Sequence, residues 1–380
     1  MTDTGRERAL ADAAMAALRQ GDAQRALATL RNMQEPPPML LAQACNRSGD
    51  VDGEAAALRR ILDQDIRNLP AMLAMGQNAD RRGDARGATS WYLSALAQAA
   101  ATGAPPQLQP LLHKARDYVA RSSRSFEDHL MDAISGLPAL PRIQLATDLL
   151  LGKQNLFLQQ PSMFYFPGLP QRAFYERSEF DWVAPMEAMT GAIVAELEQV
   201  RAQEAAAFAP YVQTSPLRPA PNNPLRDDDR WGALYFWQNG EQVAANADRC
   251  PAVMAALGLA PIPVIAGRSP MALWSLLKPG THIQPHHGLL NTRLICHLPL
   301  LTPDGCALRV GAETRTWRKG EMLLFDDSIE HEAWNRSSDT RVVLLFEIWR
   351  PEIEAEERDA LTQLFQAIDR FGPAQVDTGG

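Results

Sequence analysis

From Trp231 to Trp349 the chain offers only short apolar runs: WGALYFW, MALWSLL, TRLICHLPL, ALRV, EMLLF, HEAWN and RVVLLFEIW. Turn residues such as Gln238-Asn239-Gly240, Lys278-Pro279-Gly280 and Pro303-Asp304-Gly305 part them. Many short strands at this spacing predict an antiparallel sandwich or jelly roll, with an interior lined by alternate residues of each strand. Five of the seven histidines (His282, His286, His287, His297 and His331) fall between Trp274 and Trp349. Imidazoles clustered on a β scaffold point first to a metal site.

Period-two alternation puts Arg293, Ile295 and His297 on one face and Leu294 and Cys296 on the other. A cation and an imidazole on one face predict a polar-lined interior or a wet rim. The run Arg341–Trp349 is apolar on both faces through Leu345, which predicts a central strand. Arg341 at its start is then partly desolvated, and a desolvated guanidinium needs an anion. A protein carboxylate is the commoner source of that anion, and a ligand is the other. From the residues alone, His286 and His331 read equally as a metal pair or as satisfied polar histidines.

The N-terminal third is of another kind. From Glu7 to about Ala100 the chain is rich in Ala, Leu and Arg, with Gly-Asp turns at Gly21, Gly49 and Gly83 after arginine-containing segments. Gly49 and Gly83 are 34 residues apart, the tetratricopeptide period. Met75-Gly76, Ala88, Tyr92 and Ala95 fit that repeat well; Glu54 stands where a small residue is expected. The segment resembles a short tetratricopeptide array with degenerate members, although a plain stack of helical hairpins would show the same turns. Either arrangement leaves a concave face able to dock a protein partner.

At 380 residues the chain exceeds one typical core and predicts two domains. A net charge of −8 gives no electrostatic footprint for nucleic acid or an anionic membrane. No apolar run approaches the ~20 residues that cross a bilayer, and the N-terminus shows no signal-peptide core. Cys45, Cys250, Cys296 and Cys306 form no CxxC and no disulfide framework, which predicts reduced thiols and a cytoplasmic setting.

Between the two regions, Leu111–Arg121, Phe126–Leu137 and Ile143–Leu151 read as separate helices. The turn-rich QNLFLQQPSMFYFPGLPQRAFY forbids a long helix and carries the domain boundary near Asn155. Phe180–Ala207 reads as one long helix, and Gln213–Asp229 as a loop at the rim of the sheet. Glu352–Phe371 reads as a helix stopped by Gly372-Pro373. The expected division is 1–125 helical repeats, 126–155 a helical bridge, 156–355 the jelly roll and 356–380 a helix and tail.

The strings PGTHIQPHHG and GEMLLFDDSIEHEAWN, with NTRLICH, GCALRV and TRVVLLFEIW, resemble the aspartyl/asparaginyl β-hydroxylase family of Fe(II)- and 2-oxoglutarate-dependent dioxygenases. The resemblance covers most of Trp231–Pro351, and FPGLPQRAFY…FDW upstream is similar as well. It implies a double-stranded β-helix, the cupin-like jelly roll, with iron held by His286 and His331. Most relatives in the wider superfamily add a carboxylate two residues after the first histidine. That position is Gly288 here, as in the β-hydroxylases. Asp327 would accept a hydrogen bond near the metal. Arg341, assisted by Ser275, would pair with the distal carboxylate of 2-oxoglutarate, and His297 would meet the carboxylate nearer the iron. Dioxygen is the second cosubstrate.

The resemblance also implies a substrate role for Arg293. Animal protein-modifying members use two arginines one residue apart to hold an acidic side chain, and the second position is Ile295 here. A half-disulfide at Cys250 finds no obvious partner. The expected activity is hydroxylation of an unactivated C–H bond, on the β-carbon of an Asp- or Asn-type residue in a peptide or protein. A free amino acid or acyl chain is the alternative substrate. A non-catalytic interaction protein is the alternative class.

Overall fold

The computed structural model describes residues 3–138, 140–203, 207–214 and 222–371. They form two compact units, residues 1–151 and 152–380. The first takes in residues expected as a bridge, and the second takes in the C-terminal helix. Among the described residues no helix is long and apolar enough to cross a membrane.

The first unit is all helical: α1 Asp3–Arg19, α2 Ala23–Arg31, α3 Pro38–Ser48, α4 Val51–Gln64, α5 Leu69–Arg81, α6 Ala85–Thr102, α7 Gln109–Ile134 and α8 Pro141–Leu150. The three Gly-Asp pairs join α1 to α2, α3 to α4 and α5 to α6 by one device. Each glycine ends a helix at a left-handed φ of 74–82°, a backbone geometry that costs glycine little. The aspartate amide then donates back to the carbonyl five residues earlier (Ala17, Cys45 or Ala79) at 2.9–3.0 Å. Its carboxylate accepts the amide of Arg25, Gly53 or Gly87 and caps the next helix. The Gly-Asp repetition is therefore a repeated tight helix junction.

Glu54, the misfit to the small-residue pattern, is 2% exposed. Asn46 and Asn78 donate to its two carboxylate oxygens at 2.8 and 2.7 Å, and Arg81 pairs with it. It ties α3, α4 and α5 together. Glu54→Ala should cost the first unit about 2–3 kcal/mol, because three donors lose a shared buried acceptor. Denaturant unfolding of the full chain checks this, and an unchanged first transition would show the acid to be dispensable.

Two expected helix boundaries are corrected. α7 runs unbroken through Arg121–Phe126, since Arg-Ser-Ser-Arg-Ser contains neither Pro nor Gly to stop it. The long helix expected over Phe180–Ala207 is instead α9 Val183–Ala188 and α10 Thr190–Gln203. They part at Met189, where the Thr190 hydroxyl donates to the Glu187 carbonyl at 2.6 Å. Residues 204–206 of that expected helix, residues 215–221 of the expected loop and the Gly372-Pro373 stop lie outside the described residues.

The second unit holds β1 Phe174–Tyr175, β2 Ala209–Pro210, β3 Trp231–Gln238, β4 Glu241–Gln242, β5 Ala272–Leu277, β6 His282–His286, β7 Arg293–Leu301, β8 Cys306–Val310, β9 Glu313–Thr316, β10 Leu323–Phe325, β11 His331–Asn335 and β12 Arg341–Trp349. Its further helices are α11 Ala244–Ala247, α12 Pro251–Leu257 and α13 Ala355–Phe371. The large sheet runs β1-β10-β7-β12-β5-β3-β2, with β4 on β3, and the small sheet runs β6-β11-β8-β9. Successive strands from β5 alternate between the sheets except at the β8–β9 hairpin, which is jelly-roll winding.

β12 is central, between β7 and β5. Its Val342, Leu344, Phe346 and Ile348 pack with α9, α10 and α12 in one core. Val343 and Leu345 face a second core shared by both sheets. That accounts for a strand apolar on both faces. Leu294 and Cys296 belong to the first core and Ile295 to the second, as the alternation predicts. All four cysteines are free, Cys250 included.

Candidate active site

Between the sheets lies a cleft of about 800 Å³, counting its open mouth. Every site residue expected from the sequence lines it: Ser275, His286, Arg293, His297, Asp327, His331 and Arg341. His282 pairs with Glu332 at 2.6 Å on the small sheet, while His287 also lines the cleft.

His286 and His331 are direct partners across the antiparallel β6–β11 pair, with ring centroids 4.1 Å apart. Each Nδ1 lies against the carbonyl two residues before it, Gln284 at 2.7 Å and Ile329 at 3.1 Å. A carbonyl only accepts, so each Nδ1 carries the proton and each Nε2 keeps its lone pair. Burial lowers the pKa of both rings, that of His331 well below the usual value. Two neutral imidazoles with fixed tautomers and Nε2 lone pairs are what a divalent cation requires.

Gly288 stands beside the pair. A Cβ there would collide with the Asp327 carboxylate, and its amide donates to the Asp327 carbonyl at 2.6 Å. Side chain and aspartate therefore compete for one space, and the glycine gives it to Asp327. Among the described residues no group of three His, Cys, Asp or Glu side chains is placed to hold a metal. Asp327 Oδ1 is buried without a hydrogen-bond partner. Burial pushes its carboxyl up to about 7, against the opposing pull of Arg293.

The tandem aspartates divide their work. Asp326 is fully buried and bonded to Arg350, Gln159 and Ser328, so it braces the strand while Asp327 faces the cleft.

Arg341 is 1% exposed. Its Nη1 donates to Ser275 O and Oγ at 3.2 and 3.4 Å, and its Nε has no partner. No ion pair to it is found among the described residues. Burial pushes its pKa down to about 10, so it remains a cation at neutral pH. Its guanidinium lies 4.8 Å from the Trp317 ring centroid. Trp317 Nε1 also donates to His297 Nδ1 at 3.3 Å, which leaves the His297 proton on Nε2 as a donor. Burial holds His297 neutral, well below its usual pKa. Two donors beside each other, one of them a cation, suit the two ends of a small dicarboxylate.

Arg293 lies in the cleft with acids beside it, although its Nε, like that of Arg341, is buried without a hydrogen-bond partner. It pairs with Glu347 and stands 3.6 Å from Asp327. Glu347 and Trp317 are the residues the sequence reading missed. Glu347 had a signal: it shares the alternation face of Arg341 on β12. Trp317 had a weaker one, a lone aromatic in the polar string TRTWRKGE.

Residues 188–351 match the family described as aspartyl/asparaginyl beta-hydroxylase. The chain is 32% identical over 212 residues to human aspartate beta-hydroxylase domain-containing protein 2, covering 55% of each protein. It is 37% identical over 140 residues to human aspartyl/asparaginyl beta-hydroxylase, covering 36% of this chain and 18% of that one. It is 34% identical over 185 residues to the ornithine lipid ester-linked acyl 2-hydroxylase of Rhizobium tropici, covering 47% of this chain and 60% of that one. The match thus spans about half the length of the first of these relatives and under a fifth of the second.

Proposed function

We propose that residues 188–351, which match the aspartyl/asparaginyl β-hydroxylase family, act as an Fe(II)- and 2-oxoglutarate-dependent hydroxylase of an unactivated C–H bond. One observation carries the reading: a tautomer-fixed histidine pair and a buried arginine with no protein anion among the described residues line the same cleft. A purely structural jelly roll gains nothing from a desolvated, unpaired guanidinium, which costs stability until an anion arrives.

His286 and His331 would hold iron through Nε2. When bound, iron and 2-oxoglutarate together supply the oxidising power that turns C–H into C–OH at the expense of dioxygen, releasing succinate and carbon dioxide. Arg341 binds the distal carboxylate of the cosubstrate, with Ser275 fixing the guanidinium plane. His297 donates from Nε2 to the carboxylate at the other end. Asp327 offers Oδ1 as an acceptor beside the histidine pair. The apolar walls, Phe325, Leu308 and Leu345 among them, limit water around the reacting carbon. The helical unit, read as tetratricopeptide-like, would recruit a protein partner on its concave face.

Anaerobic addition of Fe(II) and 2-oxoglutarate to the metal-free protein tests this reading. A visible charge-transfer band that needs both additions, followed by slow succinate formation once oxygen is admitted, is the expected result. No band and no succinate in a folded protein would leave a binding module in place of an enzyme.

A further inference from the structure

The charges in the cleft point to the kind of group it receives. Two guanidinium groups line it among the described residues, Arg341 and Arg293. Among the described residues Arg341 has no carboxylate partner, whereas Arg293 has two, Glu347 and, 3.6 Å away, Asp327. Glu347 is wholly buried, and its other oxygen accepts the Ser269 hydroxyl at 2.5 Å, so it is anchored away from solvent. A substrate carboxylate reaching Arg293 would have to share one buried cation with Glu347, beside the Asp327 carboxyl group, and would be disfavoured. The residue paired with Glu347 across β7–β12 is Ile295, whose side chain shares the cleft wall with Phe325 and Leu345.

We propose that Glu347, by occupying the guanidinium of Arg293, makes this cleft select an uncharged aliphatic group as the part of the substrate that is hydroxylated. The inference rests on the hydroxylase reading above and narrows its substrate. Aliphatic carbon buried against Ile295 and its neighbours gains about fourfold in affinity per methylene, while among the described residues an acidic side chain finds no cation in the cleft without a carboxylate partner once the cosubstrate holds Arg341. The aliphatic group can come from an acyl chain or from an amino-acid side chain.

The full chain, loaded anaerobically with Fe(II) and 2-oxoglutarate, is titrated by calorimetry with octanamide, N-acetylleucinamide and the side-chain acid N-acetylaspartic α-amide. At least one aliphatic probe should bind tenfold or more tightly than the acidic one. Octanamide leading identifies an acyl source, and N-acetylleucinamide leading identifies a residue side chain. Glu347→Gln, which keeps the shape and frees Arg293, should shift the preference toward the acidic probe by tenfold or more. The acidic probe binding the unmodified protein as well as the others overturns the proposal, as does a set in which no probe binds. An unmoved ratio in a folded Glu347→Gln protein overturns the role of Glu347. The comparison on the unmodified chain decides the substrate class even if the variant does not fold. Failure of 2-oxoglutarate itself to bind would remove the hydroxylase reading and this inference together; normal cosubstrate binding without probe selectivity removes this inference alone.

Discussion

Replacing either His286 or His331 with Ala should abolish Fe(II) loading while leaving the jelly roll folded. The two rings are the only imidazoles brought together as cross-strand partners among the described residues, and Gly288 supplies no third ligand. Loss of one ring therefore removes half of the protein's donors. Partners one step further from a metal are already worth 10–100-fold in affinity, so loss of a direct ligand should exceed about 100-fold. The fold should survive because the strands are held by backbone ladders and by two apolar cores, not by the rings. Anaerobic metal-binding isotherms with thermal unfolding of each variant make the check. His282→Ala is the comparison: its ring is 40% exposed and spent on Glu332, so iron loading should not change. Iron retained by both single variants at His286 and His331 would end the metal assignment.

How far the chain could be read in advance varied with the kind of interaction. The jelly roll was legible because alternation is a local rule: Leu294 and Cys296 on one face and Ile295 on the other follow from the pleat alone. The centrality of β12 followed from its doubly apolar sequence. The helix ends were less legible, since Met189 splits α9 from α10 through a local Thr190 contact that no Pro or Gly announces.

The site was partly legible, for a different reason. The separation of His286 and His331 along the chain does not fix their register, so pairing them depended on the likeness to known hydroxylases. The partners of Arg293 were not legible at all. A hydrophobic strand ending Leu-Phe-Glu-Ile-Trp shows that an acid is buried; it does not show which cation neutralises it. Only the register Glu347 to Ile295, one alternation step from Arg293, makes that pair and turns an apparent anion receptor into a closed one. Long-range charge pairing is a property of packing, and a one-residue slip would have undone it.

Arg341→Met should weaken 2-oxoglutarate binding by at least about 30-fold, because truncating one side of a buried charge pair costs roughly 2–5 kcal/mol. Iron loading, which depends on the histidine pair, should change little. The sign of the stability effect separates a ligand-binding arginine from a structural one. In the absence of 2-oxoglutarate the native guanidinium is 1% exposed and has no acid beside it among the described residues. An uncharged side chain of similar length relieves that desolvation cost, so the variant should be as stable as the native protein or more so. Added 2-oxoglutarate should then raise the melting temperature of the native protein and leave that of the variant almost unmoved, since only a ligand that binds the folded state stabilises it. A structural arginine would give the reverse: a variant destabilised without ligand and a native protein indifferent to the cosubstrate. Thermal unfolding of both proteins, with and without 2-oxoglutarate, distinguishes the two patterns without recourse to turnover.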